Sequence, residues 1–116
     1  MKEMRIIALA AVLFMPAFCL AKGPKDPLTV APDMYKLLFE NDKVRVMEVT
    51  FKPGQKIAEH SHPDHFVFVK EPGKLKISKP DGTSSDADLK SEQVIWIPSE
   101  SHWAENTGST TVQLVV

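Results

Sequence analysis

The stretch "EHSHPDH", residues 59–65, holds three of the chain's four histidines. Imidazole is both a metal ligand and a proton carrier near neutral pH, so what matters is which way each side chain leaves the backbone. His60 and His62 are two apart, and on an extended chain both project from one face, as two ligands of one ion must. His65 is offset by three and would leave the opposite face of an unbroken strand. Pro63 and Asp64 break that strand, so the alternation restarts, and His65 then shares a side with Val67 and Val69 while Phe66 and Phe68 take the other. The fourth, His102, follows Val94 to Pro98, a buried-looking strand closed by proline; a turn over 98–101 would carry it back towards the others. Local spacing leaves open whether it reaches them.

Imidazole ligands without thiolate suit one divalent transition metal, Fe, Mn, Zn, Ni or Cu, and the donor set does not choose among them. Three histidines leave coordination positions for water or substrate, whereas four around a tetrahedral zinc close the site, so His65 decides between the two. Glu59 is expected to point away from His60, and Asp64 to cap the turn. Trp96 and Trp103, with Val67 and Val69, are candidates to line a ligand pocket, although aromatic residues in strands are most often core. Arg45, in an alternating strand, could bind a carboxylate substrate, and an outward position is preferred. No general base or nucleophile stands out beyond the cluster.

The elements that must position these side chains read as strands. Tyr35 to Phe39, Val44 to Phe51, His65 to Val69, Lys74 to Ser78, Val94 to Ile97 and Thr110 to Val116 are β-type runs, with a weaker one ending at Leu89. Between them lie "NDK", "KPGQ", "EPG", "PDGT" and "NTGS", each holding a turn-forming residue. "DMYKLLFE" also fits the opening of a helix with Asp33 as its cap, and strand is preferred. Regular short strands with no long helix predict an all-β, antiparallel sandwich or barrel over residues 34–116. Residues 22–33, rich in proline, are expected to be an extended arm.

Residues 1–21 differ from the rest. Two basic residues precede an apolar run from Ile6 to Leu20, and Cys19 and Ala21 put small side chains where a signal peptidase reads, so a secretory signal cleaved after Ala21 and a periplasmic or secreted protein are expected. The run is shorter than the roughly 17–25 residues of a membrane span. Without Lys2, Arg5 and Glu3 the 14 basic and 15 acidic residues fall to 12 and 14, a net charge of −2. That balance offers nothing to nucleic acid or an anionic membrane. The only cysteine goes with the leader, so neither a disulfide nor a thiolate ligand is expected in the mature chain.

Residues 54–106 resemble the two motifs of the cupin family. The first reads Gly54, QKIAE, His60-Ser61-His62, Pro63-Asp64, His65, FVFVKEP, Gly73; the second reads Glu92, QVIWI, Pro98-Ser99-Glu100, Ser101, His102, WAE, Asn106. Glu92 and Glu100 replace the second motif's two glycines, His65 stands where the family usually has a glutamate ligand, and Pro72 is one residue extra. The resemblance implies an antiparallel cupin-type β-barrel, a double-stranded β-helix or jelly roll, with His60, His62 and His102 as metal ligands and His65 as candidate fourth. It also implies dioxygenase- or isomerase-like chemistry on a small molecule, and, with Phe66 and Phe68 facing outward, a homodimer. A non-catalytic barrel binding a sugar or an acid, and a closed structural zinc site, remain open beside the enzyme.

Overall fold

The computed structural model describes residues 23–116. The expected leader lies outside the described residues. After one helical turn, α1 (Pro27–Val30), nine strands follow: β1 (Tyr35–Glu40), β2 (Arg45–Phe51), β3 (Lys56–His62), β4 (His65–Glu71), β5 (Gly73–Ser78), β6 (Ser84–Leu89), β7 (Val94–Ile97), β8 (Glu100–Asn106) and β9 (Val112–Val115). They form two antiparallel sheets, one in the order β1-β2-β9-β4-β7 and the other β3-β8-β5-β6. The "DMYKLLFE" segment is strand from Tyr35, not helix.

Alternation builds the core between the sheets. On β2, Met47, Val49 and Phe51 point inward, and on β4 Val67 and Val69 do, meeting Ile57, Leu75, Val112 and Leu114. Each such side chain contributes about 1.5–3 kcal/mol when fully buried. Asn106 is buried among them with its amide fully used: Nδ2 donates to Phe51 O (2.9 Å) and Thr110 O (2.8 Å), and Oδ1 accepts from Gly108 N (3.0 Å). It ties the end of β8 to β2 and to the turn leading into β9.

Two positions show how the turns are made. Gly54 has φ 81°, the left-handed region that glycine enters without steric cost. Glu92 does the same work with φ 65°, a glutamate where the second motif has glycine. Glu100 does not need a substitute for glycine, because it lies within β8.

Three expectations change. Within the arm, Asp26 accepts a hydrogen bond from Leu28 N (2.9 Å) and starts the turn Pro27–Val30, so part of it is helical. Arg45 is not outward: its Nη1 and Nη2 donate to Asp26 Oδ2 (2.7 Å) and Oδ1 (3.1 Å), with the side chains only 6% and 3% exposed. Lys25 O accepts from Ser61 N (2.8 Å), so the arm covers the edge of β3. Finally, β7 is not buried. It is the edge of its sheet, with Val94 65% and Trp96 64% exposed.

Candidate metal centre

The strand β3 has a register shift between Ile57 and His60 against β8. Ile57 and His60 are three apart, which strict alternation would put on opposite faces, yet both are buried. The irregularity at Ala58 and Glu59 restores phase. From there His60 and His62 alternate inward, and His102 on β8 stands directly opposite His60 in the ladder. His60, His62 and His102 each offer a ring nitrogen within 4.8 Å of the others. The three rings pack at centroid separations of 4.9, 4.6 and 5.2 Å.

Hydrogen bonds set two of the tautomers. His60 Nδ1 lies 2.8 Å from Ala58 O and His102 Nδ1 lies 2.8 Å from Glu100 Oε2. Both partners can only accept, so each Nδ1 carries the proton and each Nε2 keeps a free lone pair. Burial pushes His60 down to about 4, and the Ala58 carbonyl only partly offsets it. Burial, together with repulsion from the neighbouring imidazoles and Arg45, pushes His62 down to about 2. Both rings are therefore neutral at pH 7, the form that binds a metal.

Glu100 is a feature that reading the sequence missed, since the position was treated as a lost glycine. A carboxylate two residues before a ligand on the same face of a strand is the available signal. It fixes the orientation and tautomer of the His102 ring, with Lys79 Nζ 4.0 Å from its other oxygen. Glu100→Gln is expected to weaken metal binding about 10–100-fold while leaving the fold intact. Competition against a chromophoric chelator measures this; unchanged affinity would show that Glu100 is only a surface acid.

His65 stands outside the triad. Its ring stacks on His62 at 4.5 Å and 27°, and its Nδ1 donates to Pro63 O (2.7 Å). Glu59 points away, paired with Lys25 (3.1 Å). Asp64 Oδ1 accepts from Ser99 N (2.8 Å), and so clasps the loop after β7 to the loop after β3.

The triad borders a cavity of about 60 Å³ in the barrel, walled also by Tyr35, Val67 and Ile97. Burial raises the Tyr35 hydroxyl above its ordinary value, so it stays protonated there. A larger cleft of about 510 Å³ opens to solvent and meets the cavity at His62 and Val116. Of the expected pocket residues, Trp96 lines the cleft and Val67 the cavity. Val69 is fully buried in the core and Trp103 lies on the outer side of β8, so neither lines these two spaces.

No family model and no curated protein matches the chain. Solved structures do. A cupin domain from Bordetella pertussis Tohama I is similar at 26% identity, covering 71% of this chain and 86% of that one, with a TM-score of 0.66. The chain folds as a cupin. A double-stranded β-helix protein from Klebsiella pneumoniae (23% identity, TM-score 0.57, 71% of each chain) shares the architecture. So does a cupin superfamily protein from Desulfitobacterium hafniense (20% identity, TM-score 0.53, 72% and 74% of the two chains). Within the cupin barrel, His60, His62 and His102 form a buried group that could hold one metal ion.

Proposed function

We propose that this cupin is a metal-dependent enzyme acting on a small molecule, with one divalent transition metal held by His60, His62 and His102. The observation that carries the reading is the meeting of three buried imidazoles, two with Nε2 left free by their hydrogen bonds, beside a cavity that a solvent-open cleft reaches. Three ligands leave positions for substrate, and His65 outside the triad argues against a closed four-histidine zinc site. A metal so held supplies Lewis-acid or redox chemistry, of which dioxygenase and isomerase reactions are the two kinds favoured here. The chain's own part is to keep His60 and His62 neutral, to orient His102 through Glu100, and to wall the inner cavity with Tyr35, Val67 and Ile97.

Elemental analysis of the chain from Lys22, made without a polyhistidine tag, tests this beside His60→Ala and His65→Ala. Near one ion per chain is expected in the parent and in His65→Ala, with loss in His60→Ala. No metal in the parent after reconstitution would overturn the enzyme and leave a ligand-binding barrel.

Residues 1–21 support export, through their basic start and apolar run, and the mature chain would begin at Lys22. The exposed Leu37, Leu38 and Phe39 on edge strand β1 are the surface a second copy would cover in a homodimer.

A further inference from the structure

The strand that supplies two of the three ligands is the edge of its sheet, since β3 has β8 on one side only. What β8 grips there is short. The register between them is broken from Ile57 to His60, and Pro63 follows the end of the strand, leaving His60, Ser61 and His62 paired with His102, Ser101 and Glu100. A segment of that length, held along one side, frays more readily than a strand inside a sheet. A metal tolerates little of this, because its ligand distances must hold to about 0.2 Å.

The chain before β1 takes up the other side. Ser61 N, between the two ligands, donates to Lys25 O (2.8 Å). Lys25 Nζ also pairs with Glu59 (3.1 Å), an exposed contact of small worth. The next residue, Asp26, reaches the other sheet: it accepts two hydrogen bonds from Arg45 at the start of β2, a pair that water hardly touches. From there α1 runs to Ala31, whose carbonyl accepts from Tyr35 N (3.1 Å), and the Tyr35 ring meets His60 edge-on at 6.2 Å. Residues 25–35 thus touch the ligand strand at two points, the backbone between His60 and His62 and the His60 ring. Between those points they are fastened to the opposite sheet.

We propose that residues 25–35 clamp the metal centre, with Asp26 and Arg45 as positioning residues that act on His60 and His62 through Lys25 and Ser61, so that docking of the arm and binding of the ion favour one another. The clamp rests on the metal reading above and adds the part of the chain that governs how firmly the ion is held. Such a coupling is reciprocal: the factor by which a docked arm tightens the ion is the factor by which the ion tightens the arm. Groups that orient a metal's ligands are worth about 10–100-fold in affinity, and a backbone contact beside two ligands belongs at the lower end, about tenfold.

Two measurements on the chain from Lys22 test the two directions. Zinc affinity, by competition with a chromophoric chelator, is expected to fall about tenfold in Asp26→Ala and to stay within about twofold of the parent in Leu89→Ala. Leu89 is a core residue on β6, at the far edge of the same sheet, so its truncation costs the barrel stability without touching the arm. Hydrogen exchange of the unaltered protein needs no variant to fold. Zinc is expected to slow the Ser61 amide by the same factor, about tenfold, and to leave unchanged the Lys79 amide, which donates to Thr83 O in the turn between β5 and β6. Equal zinc affinity in Asp26→Ala and the parent, or a Ser61 amide that zinc does not slow, overturns the clamp and leaves the metal reading standing. An equal loss of affinity in Leu89→Ala overturns it too, because the effect would then follow stability alone. A parent that takes up no zinc removes the metal reading, and the clamp with it.

Discussion

Asp26→Ala lowers the stability of the barrel by about 3–5 kcal/mol, far more than the loss of a surface ion pair. The reason is the charge left behind. Arg45 is 6% exposed and meets Asp26 through two parallel hydrogen bonds, so the substitution strands a guanidinium in a place that water scarcely reaches. Asp26 also holds Leu28 N at the start of α1, and the next residue back, Lys25, covers the edge of β3 through Ser61 N. The Ser61 amide should therefore lose its hydrogen-exchange protection ahead of the core amides of β2. Urea unfolding gives the magnitude. The double substitution Asp26→Leu with Arg45→Met should recover most of the loss, because two apolar side chains of like volume need no partner. A cost below about 1 kcal/mol for Asp26→Ala would mean that the arm is only laid on the barrel.

The metal-free protein is expected to be most stable above about pH 6.5 and to lose stability steadily down to about pH 4. In the unfolded chain an imidazole takes its proton near pH 6.5, whereas folded His60 resists until about 4. Between those values the unfolded state binds more protons, so stability falls as pH falls, by roughly 3 kcal/mol from His60 alone. His62, held down to about 2, extends the decline below pH 4. A bound metal should be held through most of that range and released only near and below about pH 4, where protons begin to compete for the folded lone pairs. Urea midpoints measured across pH, with His60→Gln as control, test this; the control should show a shallower slope between pH 6.5 and 4. A flat profile in the parent would mean that the imidazoles meet solvent in the folded barrel.

Most strands were legible because their inward residues are apolar. The alternation of Val44 to Phe51 and the run His65 to Val69 correspond to β2 and β4, and Asp81-Gly82 to the turn between β5 and β6. The two strands least visible were β3 and β8, and these carry the triad. On β3 the inward positions after Ile57 are histidines, and the irregularity at Ala58 and Glu59 interrupts the period of two. On β8 the apolar pattern is inverted, with Trp103 outside and His102 and Asn106 inside. A site replaces core residues with polar ones, so the pattern that announces a strand is weakest where the chemistry is. The ligand types and spacing were readable even so. Arg45 was misread because its partner lies 19 residues away, beyond any local period.

The triad hangs on one sheet, through β3 and β8, while the outer wall of the solvent-open cleft belongs to the other, through β2, β4 and β7. Side chains such as Val94 and Trp96 on the exposed edge strand can therefore drift without disturbing the imidazoles. Selection on what the protein accepts and selection on what it holds act on separate stretches of chain, so a lineage of such barrels can change its diet while keeping its ion.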